Sequence, residues 1–79
     1  MVLQSFVLSK LIIKFKTRGE KIDYLNYVQQ LLERRGIDYN TSQDDQLTIM
    51  DLKKNDPQIY RKIITNINQK GYTYYEHES

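Results

Sequence analysis

The segment Asp56-Pro57-Gln58-Ile59-Tyr60-Arg61-Lys62-Ile63-Ile64-Thr65-Asn66-Ile67-Asn68-Gln69-Lys70-Gly71-Tyr72 contains a helix start, a helix stop and a two-sided face. Pro57 suits the first helical position, where its missing N–H has no intrahelical partner to lose, and Asp56 suits the cap before it. Gly71 stands where a left-handed residue closes a helix, and Lys70 puts a cation at the negative end of the dipole. Between these signals Ile59, Tyr60, Ile63, Ile64 and Ile67 form one stripe of helical period. The spacing predicts a helix over 57–70. Its opposite face carries Gln58, Arg61, Lys62, Thr65 and Gln69, long polar or cationic side chains with no carboxylate among them. A solvated surface is the ordinary reading of such a face; contact with DNA is the sharper one.

Working outward, Asn55-Asp56-Pro57 reads as a turn. Thr41 and Ser42 offer caps, with Asp44 and Asp45 in the turn that follows. A helix over 42–54 would pair Leu47 with Met50 and Ile49 with Leu52 at i, i+3 spacing. Gln46 to Leu52 also reads as extended chain. Residues 20–35 predict another helix, with Leu25, Val28 and Leu32 on its buried line and Tyr24 and Leu31 beside it. Arg34 and Arg35 suit its end and Gly36 stops it, while Gly19 reads as a break before it.

From Ser9 to Thr17, Leu11, Ile13 and Phe15 alternate with Lys10, Ile12, Lys14 and Lys16, as in a strand with one buried face. Leu8, Leu11, Ile12 and Phe15 also meet helical spacing. A helix over Val2 to Phe15 would be apolar on nearly every side, which a small domain can hardly enclose, so a strand is preferred and a first helix is its competitor. After Gly71, Tyr72-Thr73-Tyr74-Tyr75 is β-prone. The expected fold is a single small domain, α+β and helix-dominated, with about three helices and one or two short terminal strands; an all-α fold is the alternative.

The chain has 79 residues, no cysteine and one histidine. Disulfides, thiolate metal sites and structural zinc are thereby excluded, and neither a metal nor a cofactor is expected. A core this small is a motive for self-association. The net charge is +2, but residues 1–21 carry +4, residues 22–56 carry −3 and residues 57–79 carry +1. Two basic regions flank an acidic middle, an arrangement able to focus positive potential on one side. The apolar run Val2–Leu8 is too short to span a bilayer and lacks the flanks of a signal peptide, so a cytoplasmic location without a membrane partner is expected.

Catalysis has little to draw on. His77 lies three residues from the end, where chains are seldom held rigidly. Asp44 and Asp45, if helical, point about 100° apart and serve better as dipole complement in a first turn. Without a Gly-rich phosphate loop, a nucleophile elbow or a His-Glu zinc pattern, the protein is not expected to be an enzyme. Tyr72, Tyr74 and Tyr75 read first as residues of a strand whose one face, Tyr72 and Tyr74, covers the core. They also suit an interface or, less commonly, base stacking on single-stranded nucleic acid.

Residues 47–76 resemble the second half of a winged helix-turn-helix domain. Leu47-Thr48-Ile49-Met50-Asp51-Leu52-Lys53-Lys54 is similar to its short supporting helix, Pro57 to Lys70 to its recognition helix, and Gln69-Lys70-Gly71-Tyr72 to the helix end that leads into the wing. The resemblance implies a helix laid in the major groove of double-stranded DNA, with Gln58, Arg61, Lys62 and Thr65 facing the groove and Lys70 beside the wing. The rival expectation is a protein-interaction module, either a homodimer or an adaptor or inhibitor of a larger partner, contacting it through Tyr72, Tyr74 and Tyr75.

Overall fold

Strand β1 (Ser9–Lys14) is followed by helix α1 (Arg18–Arg34), strands β2 (Tyr39–Asn40) and β3 (Gln46–Met50), the four-residue helix α2 (Leu52–Asn55), helix α3 (Pro57–Lys70) and strand β4 (Thr73–Glu78). This computed structural model describes residues 9–43 and 45–78. The expectations for Val2–Leu8 and for Asp44 lie outside the described residues.

Both long helices end as their sequences dictate. Thr17 caps α1 by accepting a hydrogen bond from the Glu20 N–H at 3.2 Å. Gly19 therefore does not break the chain; it occupies the first turn, where its own N–H needs no intrahelical partner. Asp56 caps α3 through the Ile59 N–H at 3.1 Å, with Pro57 at the first helical position. Gly36 and Gly71 are left-handed, at φ 65 and 74. The two bonds of a Schellman close follow each: Gly36 to Glu33 and Ile37 to Leu32, then Gly71 to Asn68 and Tyr72 to Ile67.

The strands form one antiparallel sheet in the order β2-β3-β1-β4. With helices after β1 and before β4, this is the split β-α-β-β-α-β arrangement also described as ferredoxin-like. It corrects the expectation of a helix-dominated domain with one or two short terminal strands. Residues 42–54 are not one helix. Gln46–Met50 is a strand between β1 and β2, and only Leu52–Asn55 is helical. The supporting helix implied by the winged helix-turn-helix resemblance is therefore strand in its first half, 47–50, and helical only from Leu52.

The physical reason lies in the pattern itself. Leu47 and Ile49 alternate with Gln46, Thr48 and Met50, and pairing with Leu11 and Ile13 buries both apolar side chains completely. Asp51 then turns the chain at φ 51; its N–H donates to the Ser9 carbonyl at 2.8 Å and its carboxylate accepts from the Ser9 N–H at 2.9 Å. Asp tolerates this left-handed geometry better than most residues.

One core joins the layers. Leu11, Ile13, Leu47 and Ile49 from the sheet meet Tyr24, Val28 and Leu32 of α1 and Ile59, Ile63 and Ile67 of α3, with Phe15, Ile37 and Leu52 closing the ends. Leu25, expected on the buried line of α1, is half-buried, and Tyr24 takes its place. Both helices thus cover the same sheet face, and no described element packs on the other.

Candidate functional site

The open face follows from strand register. Side chains of opposed residues point the same way, and neighbours along a strand point oppositely. Leu11 and Ile13 face the helices, so Lys10, Ile12 and Lys14 face away. Their partners share that side: Met50, Thr48 and Gln46 on β3, and His77, Tyr75 and Thr73 on β4. Asn40, opposite Thr48, extends the middle row. The result is a grid with Thr48, Ile12 and Tyr75 across its centre, Met50, Lys10 and His77 at one end, and Gln46, Lys14 and Thr73 at the other.

None of these residues carries a carboxylate; Asp38, which continues β2 opposite Met50 with its carbonyl accepting from the Met50 N–H at 2.9 Å, brings one acid to the Met50 corner of the face. The acids of β4, Glu76 and Glu78, oppose Leu11 and Ser9 and so point to the helix side. There the Tyr60 hydroxyl donates to the Glu76 carboxylate. Tyr75 is 44% exposed. The Lys14 ammonium lies 5.6 Å from the centre of its ring, within cation–π range. Ile12, Thr48 and Met50 are half-buried, forming a shallow apolar floor rather than a pocket.

The outer face of α3 is the second cationic surface. Gln58, Arg61, Lys62, Thr65, Gln69 and Lys70 are all exposed, and the helix contains no acidic residue. Arg61, Lys62, Thr65, Asn66 and Gln69 line a groove of about 450 Å³ shared with Tyr27 of α1. Gln58 lies off this groove. Lys70 lines an adjoining hollow of about 230 Å³ with Asp23, Tyr24, Tyr27, Asn66 and Tyr72. The nearest acid before the helix, Asp56, is engaged by the Arg35 guanidinium at 2.8 Å.

The basic region 1–21 is split between the two layers: Arg18 and Lys21 belong to α1, while the lysines of β1 do not converge with α3. Lys10 and Lys14 lie on the open sheet face, while Arg61 and Lys62 lie on the outside of the helix layer. A sheet and a helix layer separate them, on the order of 20 Å of protein.

The three tyrosines predicted as an interface also divide. Tyr72 packs edge-on against Phe15 and Tyr24, with ring centres 5.0 and 5.5 Å away. Tyr74 is half-buried against the core. Only Tyr75 presents its ring to the open face. Burial, followed by the nearby charges of Glu20 and Asp23, raises the Tyr72 phenol above its ordinary pKa. Burial also raises the Tyr24 phenol, with smaller contributions from Tyr27 and Tyr72. Tyr24 is 1% exposed and its hydroxyl finds no hydrogen-bond partner among the described residues. These phenols stay protonated at neutral pH and offer no base.

Lys21 is a structural cation. It is 8% exposed, and its ammonium donates to the Thr41 carbonyl at 2.8 Å and to the Gln43 carbonyl, tying the β2–β3 loop to α1. Asp45 lies in that loop and not in a helical first turn, so the dipole role expected for it does not arise. No group of three or more His, Cys, Asp or Glu side chains able to hold a metal occurs among the described residues. No described helix is long and apolar enough to cross a membrane.

Reading the sequence alone missed Lys10, Ile12, Lys14, Thr48, Met50 and His77 as one surface. The alternation over residues 10–15 was the available signal for β1. Nothing comparable announced that β3 and β4 would flank it with matching register. Comparison of the chain with protein-family models, with curated proteins and with solved structures gives no match.

Proposed function

We propose that this domain binds single-stranded nucleic acid on its open sheet face. The observation that carries the proposal is the grid around Ile12: two lysines, a histidine and an exposed tyrosine on one surface, with Asp38 as the acid at its Met50 corner. Single strands are held by cationic surfaces that follow the phosphates and by aromatic rings on which unstacked bases lie. Tyr75 supplies a ring at the centre. Lys10 and Lys14 flank it from β1 and meet phosphates. Ile12 and Met50 give base faces an apolar floor, and Asn40, Gln46, Thr48 and Thr73 offer hydrogen bonds to base edges or sugar hydroxyls. A duplex gains less here, because its bases are stacked inside and cannot lie on Tyr75. The fold by itself carries no function; the side chains on this face do.

Fluorescence anisotropy with a labelled dT12 oligonucleotide and with its duplex form tests the proposal. Single strands bind more tightly than duplex. Tyr75→Ala weakens binding by about 1–3 kcal/mol. Replacing Lys10 and Lys14 with Gln lowers the slope of log affinity against log salt by about 1.4, at about 0.7 for each phosphate no longer neutralised. A titration that stays flat at low salt, or affinity and slope unchanged in both variants, rules the sheet face out.

A further inference from the structure

We infer that the domain holds two nucleic-acid segments at once, one on the open sheet and one along the outside of α3. The inference rests on the single-strand reading of the sheet and adds a second site with its own charge set. Between Leu52 and Lys70 the chain has five cations, Lys53, Lys54, Arg61, Lys62 and Lys70, against one carboxylate, Asp56. That carboxylate is already committed to the α3 cap and to Arg35. The Lys53 ammonium sits 5.7 Å from the Tyr60 ring centre, on the β4 flank of α3 where the Tyr60 hydroxyl donates to Glu76, so the acid-free surface is the opposite flank, with Arg61 and Lys62.

The exposed side of α1 is different, since it mixes Arg18 and Arg34 with Asp23 and Glu33. Positive charge in the helix layer is therefore least offset along the α3 groove. Arg61, Lys62, Thr65 and Gln69 stand in the α3 groove as donors suited to phosphate oxygens, with the exposed Tyr27 ring beside them. A polyanion complements this surface, whereas an acid-free groove gives a cationic partner no counterion.

The sheet and α3 surfaces face opposite ways, so one strand cannot reach both without wrapping around the domain. A second strand occupies the free side with no penalty from the first beyond phosphate repulsion, which salt screens over about 8–10 Å. The domain then acts as a bridge that brings two strands together.

A mixture of donor-labelled and acceptor-labelled dT12 reads this bridging as energy transfer, with sedimentation in the same buffer giving the oligomeric state. The intact protein produces transfer that rises to a maximum and then falls in excess protein, when each strand acquires its own copy. Arg61→Gln combined with Lys62→Gln lowers the maximum at least fivefold while changing the affinity for a single dT12 by less than twofold. Both side chains are exposed, so the melting temperature of this variant stays close to that of the parent. Lys10→Gln combined with Lys14→Gln lowers transfer and single-strand affinity together.

Transfer undiminished in the α3 variant overturns the inference, including the case in which paired copies bridge through their sheets. So does absence of transfer from an intact protein that binds one strand. The sheet proposal fails separately, through an unchanged anisotropy titration in the Lys10 and Lys14 variant.

Discussion

Tyr24 combines the largest buried side chain of the core with a hydroxyl that has no partner among the described residues. The ring is surrounded by Phe15, Tyr27 and Tyr72 at centroid distances of 5.8, 5.9 and 5.5 Å. Its packing stabilises the domain while its hydroxyl costs desolvation without a compensating bond. Tyr24→Phe is expected to raise stability at pH 8 by roughly 1 kcal/mol in urea denaturation. The pH dependence has a definite sign. Burial holds the phenolic proton in the folded state, so above about pH 10 the unfolded chain has fewer protons and stability falls as pH rises. The Phe variant should show a shallower loss between pH 8 and 10.5; an identical loss would remove Tyr24 as its source. The helical spacing placed Tyr24 near the buried line, but an orphaned hydroxyl depends on what reaches it from Phe15 and from the start of β4. No local pattern encodes that.

Among the elements, α3 was fully legible and β3 was not. The α3 segment carries its cap, its first-turn proline, its apolar stripe and its closing glycine within one contiguous stretch, and the helix runs over Pro57–Lys70 as expected. Gly71 is the sharpest test of that local code. A Cβ added there meets nothing within 4 Å, so Gly71→Ala pays only for the left-handed backbone at φ 74. The expected loss is about 1 kcal/mol, read as a lower thermal midpoint. A larger loss would mean that the turn into β4 adjusts as well. In residues 46–50 the apolar positions satisfy a short helix and a short strand equally, because five residues are too few to separate the two periods. Pairing with β1 on one side and β2 on the other decides for strand, since it buries Leu47 and Ile49 and gives the backbone its ladder. The final strand shows the same dependence: Tyr72-Thr73-Tyr74-Tyr75 is β-prone by itself, yet β4 continues through the polar residues 76–78 because β1 supplies a template.

Across the whole molecule, a single core links both helices to the two central strands, so its loss is not local. Ile63 is fully buried at the middle of the α3 stripe. Ile63→Ala is expected to cost about 2–5 kcal/mol, a large share of the stability of a domain this size, and to lower every structural probe in one cooperative transition. Separate transitions for the helices and the sheet would contradict a common core. The sequence by itself determined the body and stop of α1, the cap, stop and apolar stripe of α3, its acid-free outer face and the alternation in β1, because each depends on neighbours within one or two turns of chain. Tertiary structure decided that residues 46–50 are a strand, that Lys10 and Lys14 lie on the side opposite Arg61 and Lys62, and that Lys10, Lys14, Tyr75 and His77 share a surface from which Glu76 and Glu78 are turned away. Those outcomes depend on pairing between segments as far apart in the chain as Ser9 and Glu78. Antiparallel register assigns each side chain to one face of the sheet, and a shift of one residue would exchange the two faces.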